Sequence, residues 1–299
     1  MDNNNNNLLN RNENNDSSSD YSDKIANVRN KFLNHYRNDP KLFHETDINM
    51  IMENEWWTLR FIKWQRGNEE KALKQMIEAF KWRKSFGIND RDAKDLPIEF
   101  AKTAALFPLG TDYKGRNVIY LRVKVYRKIQ VLNDFFRQFT AGIINYVDQK
   151  SDRNGFVFMF DAFGVSWSNI DIEFLQFLIQ LVQLYYPYGL RYAIIYNLPR
   201  ILRPMWSITK VFLGSAERTL RFCDGEEIFK YIPAKNLPRY LGGECDFDFT
   251  DFEETRQCPS IQELGPKFGF TEKEIEKYFK IFEPNIEEAK KLVKYSNKL

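Results

Sequence analysis

The chain has 299 residues, of which 43% are hydrophobic, so it is long enough to bury one large core or two modest ones. Its formal net charge of +3 gives no indication of a general nucleic-acid-binding protein. Three cysteines without paired spacing, and no apolar run of the roughly 18 residues that a membrane-spanning helix needs, predict a cytoplasmic protein with free thiols.

The first part of the chain predicts a tail and a group of helices. Residues 1–21 are rich in Asn, Asp and Ser, which is typical of a disordered segment. Trp57, Phe61 and Trp64 then recur at helical spacing, and a second set of apolar residues with the same period follows the break at Gly67-Asn68. We therefore expect a small helical subdomain over residues 22–96.

Past Pro97 the apolar period changes between strand and helix. Alternation predicts a strand over 118–125, and helical spacing predicts a helix over 133–147. The runs GFVFMF and YAIIY are typical of strands buried on both faces, and the segment between them is apolar on every side of a helix. These predicted elements are a strand at 155–160, a helix at 171–186 and a strand at 192–196.

This order of strand, helix, strand, helix and strand predicts an α/β fold with a mostly parallel sheet. The remaining residues predict a short edge strand over 218–222, a short helix over 226–231 and two C-terminal helices over 271–282 and 284–295. Pro284 suits the first turn of the second C-terminal helix.

The sequence offers few groups for catalysis. His35 and His44 are the only histidines, and both precede the α/β part. Asp161 ends a central strand, but a lone Asp there is more often a turn residue, and the segment from Phe163 to Ser168 lacks the second glycine of a nucleophile elbow. Neither a phosphate-binding loop nor zinc spacing is present. We therefore predict a protein that is not an enzyme and has no catalytic residue, metal or cofactor.

Several motifs resemble those of one family. LRFIKWQRGNEEKALKQMIEAFKWRKSFGI is similar to the helical lead-in of CRAL-TRIO proteins, the Sec14-like lipid-transfer family. FPLGTDYKGRNVIYLR, FDAFGVSWSNID, LYYPYGLRYAIIYNLP and YIPAKNLPRYLGGE follow in that family's order and spacing, so the resemblance covers roughly Asp47 to Glu244. Within the family, the motifs at 81–84, 213–217 and 237–243 are most similar to the CRAL-TRIO domains of motile sperm domain-containing proteins.

The resemblance implies a lipid-binding domain over 97–250 with a C-terminal helical extension over 251–299. It also implies a deep lipid pocket on one face of the sheet and a mobile gate helix at about 201–213. The candidate pocket residues are Phe156, Phe158, Phe160, Leu178, Leu181, Tyr185, Ile194, Tyr196, Trp206 and Phe212. The candidate gate and membrane-contact residues are Leu202, Arg203, Met205, Trp206, Lys210 and Val211. The alternative interpretation of both sets is ordinary core packing, with solvated basic residues at the ends of the helix.

We expect the chain to enclose a phospholipid or another hydrophobic ligand and to visit membrane surfaces peripherally. Family members that recognise phosphatidylinositol typically carry Glu-Arg after the YYP motif, whereas this chain has Tyr188-Gly189. That difference predicts weak discrimination for phosphoinositides. Two alternatives are an enzyme acting on lipid-like substrates and a lipid-sensing adaptor whose acidic and aromatic segment at 246–254 binds an unidentified protein.

Overall fold

The structure, a computed structural model, describes residues 21–202 and 214–296. The chain divides into two compact units, one ending at Phe86 and one beginning at Gly87. Among the described residues, no helix combines the length and the apolar character needed to cross a bilayer.

The first unit is helical. Its helices are α1 (Ser22–Asn38), α2 (Glu45–Glu53), α3 (Trp56–Trp64) and α4 (Glu69–Phe86). The predicted pair of helices on either side of Gly67-Asn68 is confirmed as α3 and α4. Its interior includes an ion pair: the Arg83 guanidinium donates to both carboxylate oxygens of Asp47 at 2.8–3.0 Å, and both side chains are buried. Loss of one member of such a pair leaves the other charge buried and uncompensated.

The second unit is built on a five-stranded sheet. Its strands are β1 (Leu106–Thr111), β2 (Asn117–Arg122), β3 (Phe156–Asp161), β4 (Leu190–Tyr196) and β5 (Leu220–Cys223). They lie in sequence order, with β1 antiparallel to β2 and every other neighbouring pair parallel. The predicted α/β fold with a mostly parallel sheet is confirmed. Strand β1 was not predicted, and the predicted strand at 118–125 ends at Arg122, where the chain turns.

The helices of the second unit are α5 (Ile98–Lys102), α6 (Asn133–Ser151), α7 (Ile172–Gln180), α8 (Ile261–Leu264) and α9 (Glu272–Ser296), with numbering that covers the described residues only. Helix α7 continues into a π-helical turn at Leu181–Tyr185. The prediction of two C-terminal helices is wrong, because α9 runs through Pro284 without a break. Proline has no backbone N–H to donate within a helix. Next to Pro284, the side-chain amide of Asn285 donates a hydrogen bond to the Ile281 carbonyl at 3.1 Å.

The register of the strands assigns each side chain to a face of the sheet. Tyr120, Met159 and Ile194 lie side by side on one face, within a core cluster that also contains Ala289 and Val293 of α9. On the other face, Leu121 pairs with Phe160, and α6 packs across β1, β2 and β3. Both faces are covered, which explains why the central strands have no polar alternation.

Candidate functional site

An apolar cavity of about 170 Å³ lies at the carboxyl ends of β2 and β3. Its walls come from these strands, from the segment after β2 and from helices α5, α6, α7 and α9. In parallel α/β sheets this edge is where ligands commonly bind, because loops and helix ends converge there.

Aromatic rings from several elements contribute to the wall of the cavity. The seven that line the cavity are Phe100, Tyr126, Phe136, Phe139, Phe160, Phe174 and Phe282. Phe100 stacks on Phe136 with ring centroids 4.6 Å apart and meets Phe282 edge-on at 5.7 Å. Tyr126 stacks on Phe174 at 4.7 Å. These contacts involve four helices and the segment after β2, all around one apolar space.

The alternation of β3 brings one phenylalanine of the sheet to the cavity. Phe156, Phe158 and Phe160 share a face and contact one another in series, at 5.8 and 5.3 Å between ring centroids. The first two are fully buried beneath other side chains, and only Phe160, at the end of the strand, lines the cavity.

One polar contact is built into the wall. The Tyr126 hydroxyl donates to Asp171 Oδ2 at 2.7 Å, and Asp171 Oδ1 accepts the backbone N–H groups of Glu173 and Phe174 at the start of α7. Burial, together with the hydrogen bond and charge of Asp171, raises the pKa of Tyr126 well above its usual value. Burial also tends to raise the pKa of Asp171, but the hydrogen bonds it accepts and the charge of Lys128 lower that pKa below its ordinary range.

A charged cluster joins α9 to the end of β2. Glu288 Oε2 lies 3.2 Å from Arg122 Nη2, and Glu288 Oε1 lies 2.5 Å from Lys124 Nζ. Arg122 is fully buried and also donates to the Thr103 carbonyl at 3.1 Å. Burial works to raise the pKa of Glu288, yet the hydrogen bond from Lys124 and the two positive charges lower it overall. Since Ile281 and Phe282 of the same helix line the cavity, this cluster fixes one of its walls.

Among the described residues that line the cavity, no hydroxyl is activated as a nucleophile. The hydroxyls of Thr103 and Thr140 donate to helix carbonyls at 2.9 and 2.8 Å, so neither is activated as a nucleophile. Asp161 accepts the Phe163 N–H at 3.0 Å as a turn residue, and burial raises the pKa of its carboxyl. The lining residues that the structure describes include no His, Cys or Ser.

The structure brings together only part of the predicted pocket. Phe160 and Leu178 line the cavity. Leu181 is fully buried, and Tyr185 lies in the π-helical turn outside the lining. Ile194 and Tyr196 face the opposite side of the sheet, within its core cluster, because they alternate with Ala193 and Ile195 along β4.

Most of the predicted gate lies outside the described residues. These are Arg203, Met205, Trp206, Lys210, Val211 and Phe212. Of the candidate membrane contacts, Leu202 is described, and it is buried against Ala162 and Val165.

Several lining residues were not predicted from the sequence. Phe136 and Phe139 belong to the helical repeat of α6, Leu121 to the alternation of β2, and Phe282 to α9. The spacing of the first three is visible in the sequence, but which elements surround one space depends on packing between segments that are distant along the chain.

The acidic and aromatic segment at 246–254 is largely part of the fold. Phe249 is buried and stacks on Phe107 at 4.7 Å, and Phe252 packs against the same core cluster. Asp246 pairs with Arg239, and Asp251 pairs with Arg256. Phe247 remains exposed, with 46% of its surface accessible.

Known proteins are similar to this chain in sequence and in fold. Residues 101–243 match the model of the CRAL/TRIO domain. Phosphatidylinositol transfer protein CSR1 of Eremothecium gossypii is 24% identical over an alignment of 212 residues, and the alignment covers 65% of this chain and 48% of that protein. CRAL-TRIO domain-containing protein C365.01 of Schizosaccharomyces pombe is 25% identical over an alignment of 228 residues, which covers 72% of this chain and 63% of the relative. The chain thus spans about half of the length of the first relative and less than two thirds of the second.

A solved structure supports the same assignment at the level of the fold. The crystal structure of Sfh5 superposes with a TM-score of 0.51 at 16% identity, covering 70% of this chain and 83% of that one. Residues 101–243 contain a CRAL/TRIO domain, and the chain is similar to CRAL-TRIO, or Sec14-like, proteins in sequence and fold.

Proposed function

We propose that this chain is a lipid carrier that encloses one hydrophobic ligand in the cavity of its second unit and exchanges it at membrane surfaces. The observation that carries the proposal is the apolar, aromatic wall of that cavity. An apolar cavity of this kind stays dry and binds apolar molecules, and each buried CH₂ group of a ligand contributes about 0.8 kcal/mol. Binding and release then need no covalent step.

The cavity is too small for a whole phospholipid, which indicates that its wall opens when a ligand is loaded. Its volume, about 170 Å³, resembles that of an engineered cavity of roughly 150 Å³ that binds benzene. A whole phospholipid is far larger, so loading requires helices of the wall to separate. We propose that the segment at 201–213 acts as the gate in this step, as the family resemblance implies. The name of the relative CSR1, a phosphatidylinositol transfer protein, supports a phospholipid as the ligand class.

Native mass spectrometry of the purified chain, followed by extraction and identification of bound lipid, tests the proposal. We expect a stoichiometric hydrophobic ligand, or loading when the chain is incubated with phospholipid. The variant Leu178→Trp replaces an aliphatic side chain that lines the cavity with a bulky indole ring and should abolish loading. Leu184→Trp is the matched control, since Leu184 is 45% exposed and lies only six residues further along, outside the lining.

Thermal melting of both variants separates blocked binding from misfolding. A Leu178→Trp variant that keeps its melting temperature and loses its ligand supports the carrier. A wild-type chain that neither retains nor acquires lipid, or a Leu178→Trp variant that loads as well as the Leu184→Trp control, would contradict it.

A further inference from the structure

The loop after β3, residues 162–170, exposes two large apolar side chains to solvent. Phe163 is 64% exposed and Trp167 is 56% exposed, although both lie in a unit with a well-covered core. The loop contains no charged residue between Asp161 and Asp171. Neither ring lines the cavity, so the ligand-binding site does not account for their position. Large apolar side chains exposed together on one loop are typical of surfaces that bind another apolar phase.

The loop is held in place by hydrogen bonds and packing. The Asn169 side chain accepts the Ser166 N–H at 2.9 Å and donates to the carbonyls of Lys124 and Tyr126, each at 2.9 Å. Ala162 and Val165 of the loop itself pack against Leu202. The base of the loop is therefore fixed on its neighbours, and the exposure of the two rings is a property of an ordered structure.

The loop adjoins the cavity. Asn169, Ile170 and Asp171 line its wall, so Trp167 is only two residues from the lining. The segment on which the loop rests, after β2, carries Arg127, which is exposed and also lines the cavity. Arg200, two residues before the Leu202 that packs under the loop, is exposed as well. The nearby acidic groups are engaged: Glu173 pairs with Lys128, and Glu288 pairs with Arg122 and Lys124.

We propose that residues 162–170 form a membrane-docking surface. Phe163 and Trp167 enter the boundary between headgroups and acyl chains of a phospholipid bilayer, while Arg127 and Arg200 contact anionic headgroups. Aromatic rings favour that boundary, and each basic side chain near an anionic surface adds to the attraction. This inference rests on the proposed carrier function and specifies which surface of the protein contacts the membrane. Docking through this loop brings the cavity wall to the bilayer. The flanking positive charge and the adjoining cavity favour a bilayer over a protein partner.

Sedimentation of the full chain with vesicles tests the surface. Phosphatidylcholine vesicles with and without phosphatidylserine provide the probe. We expect wild type to prefer the anionic vesicles, and the double variant Phe163→Ala, Trp167→Ala to bind them at least about tenfold more weakly, equivalent to roughly 1.4 kcal/mol. Phe247→Ala is the matched control, because Phe247 is also exposed, at 46%, but lies in an acidic segment. It should bind the vesicles like wild type.

Lipid loading is measured in parallel, with lipid supplied from detergent, so that the two proposals fail separately. The double variant should load like wild type, since its two substitutions lie outside the cavity lining. If the double variant binds vesicles as well as wild type does, the docking surface is overturned, and the proposed carrier function is unaffected. If the wild-type chain binds neither kind of vesicle, the docking surface is also overturned. This outcome includes the case in which the loop binds a protein instead of a bilayer. Loop-dependent vesicle binding without any loading supports the surface and overturns the carrier.

Discussion

At the scale of single residues, Tyr126 is the polar contact whose removal is easiest to interpret. Its hydroxyl donates to Asp171 at 2.7 Å, and Asp171 has a lowered pKa in the folded protein. A carboxyl with a lowered pKa stabilises the native state at neutral pH, and this contribution disappears as the pH falls through the folded pKa. Tyr126→Phe removes one cause of the lowering.

We therefore expect Tyr126→Phe to lower the free energy of unfolding by about 1.5–3 kcal/mol at neutral pH, the range for a hydrogen bond to a charged group. The difference from wild type should shrink below the ordinary Asp pKa of 3.8, where the carboxyl becomes protonated. Urea unfolding at a series of pH values measures this. A difference that stays constant down to the most acidic pH would show that lost packing, rather than the carboxylate, causes the effect.

The pair Tyr188-Gly189 bears on the identity of the ligand. The Gly189 carbonyl accepts the Phe156 N–H at 2.9 Å, and a Cβ atom at Gly155, whose φ is +68°, would lie only 2.4 Å from that carbonyl oxygen. The Tyr188 ring lies under the Arg191 guanidinium at 4.7 Å. These positions therefore build a tight turn against the start of β3 and offer no charged pair to an inositol headgroup.

Competition loading tests this point. With equal amounts of phosphatidylinositol and phosphatidylcholine, we expect the two lipids to occupy the chain within about tenfold of each other, a difference below about 1.4 kcal/mol. Lipid extraction and mass spectrometry give the ratio. Near-complete occupancy by phosphatidylinositol would show that other residues supply the recognition that Tyr188-Gly189 lacks.

At the scale of elements, α9 is a wall of the cavity that its link to β2 holds in position. Glu288→Gln removes the negative charge that faces the buried Arg122 and the partly exposed Lys124. We expect a loss of about 1–3 kcal/mol in stability, below the 3–5 kcal/mol of a fully buried pair because Glu288 is 37% exposed. Ligand release should become faster, since Phe282 lies on the same helix.

Hydrogen exchange over α9 and the release rate of a loaded lipid measure these two effects. Glu287→Gln is the control at the preceding residue. The carboxylate of Glu287 pairs with Lys290, and both side chains are more than half exposed. Such a surface pair contributes at most about 1 kcal/mol. If the two variants release lipid at the same rate, the link from Glu288 to β2 does not hold the wall.

The elements also show how far the sequence determines the site. Alternation and apolar runs predict the positions of β2, β3 and β4. When a strand is apolar on both faces, however, its sequence does not indicate on which face of the sheet a given side chain lies. Phe160 and Ile194 look equivalent in the sequence, and only the pairing register puts them on opposite faces. Pro284 likewise predicts a helix start, and the continuous α9 depends on the core contacts that its residues make on both sides of the proline.

At the scale of the whole molecule, the compact second unit is larger than the matched domain. The CRAL/TRIO match ends at residue 243, whereas the unit extends through α9. Ala289 and Val293 belong to the core cluster of the sheet, and Phe282 and Ile286 belong to the cluster with Phe100 and Leu132. The helix, which lies in the predicted C-terminal helical extension over 251–299, therefore contributes to both of these hydrophobic clusters.

This arrangement predicts that a fragment of residues 87–250 will not fold cooperatively, whereas a fragment of residues 87–296 will. Burying one large apolar side chain contributes about 1.5–3 kcal/mol, so losing Phe282, Ile286 and Val293 together removes an amount comparable to the whole 5–15 kcal/mol stability of a domain. The shorter fragment should bind a hydrophobic dye and melt without a sharp transition. Calorimetry and dye binding on the two fragments give the comparison. A sharp transition and retained lipid loading in the shorter fragment would show that α9 is dispensable, and the wall it forms would then be an addition to a domain that is already complete.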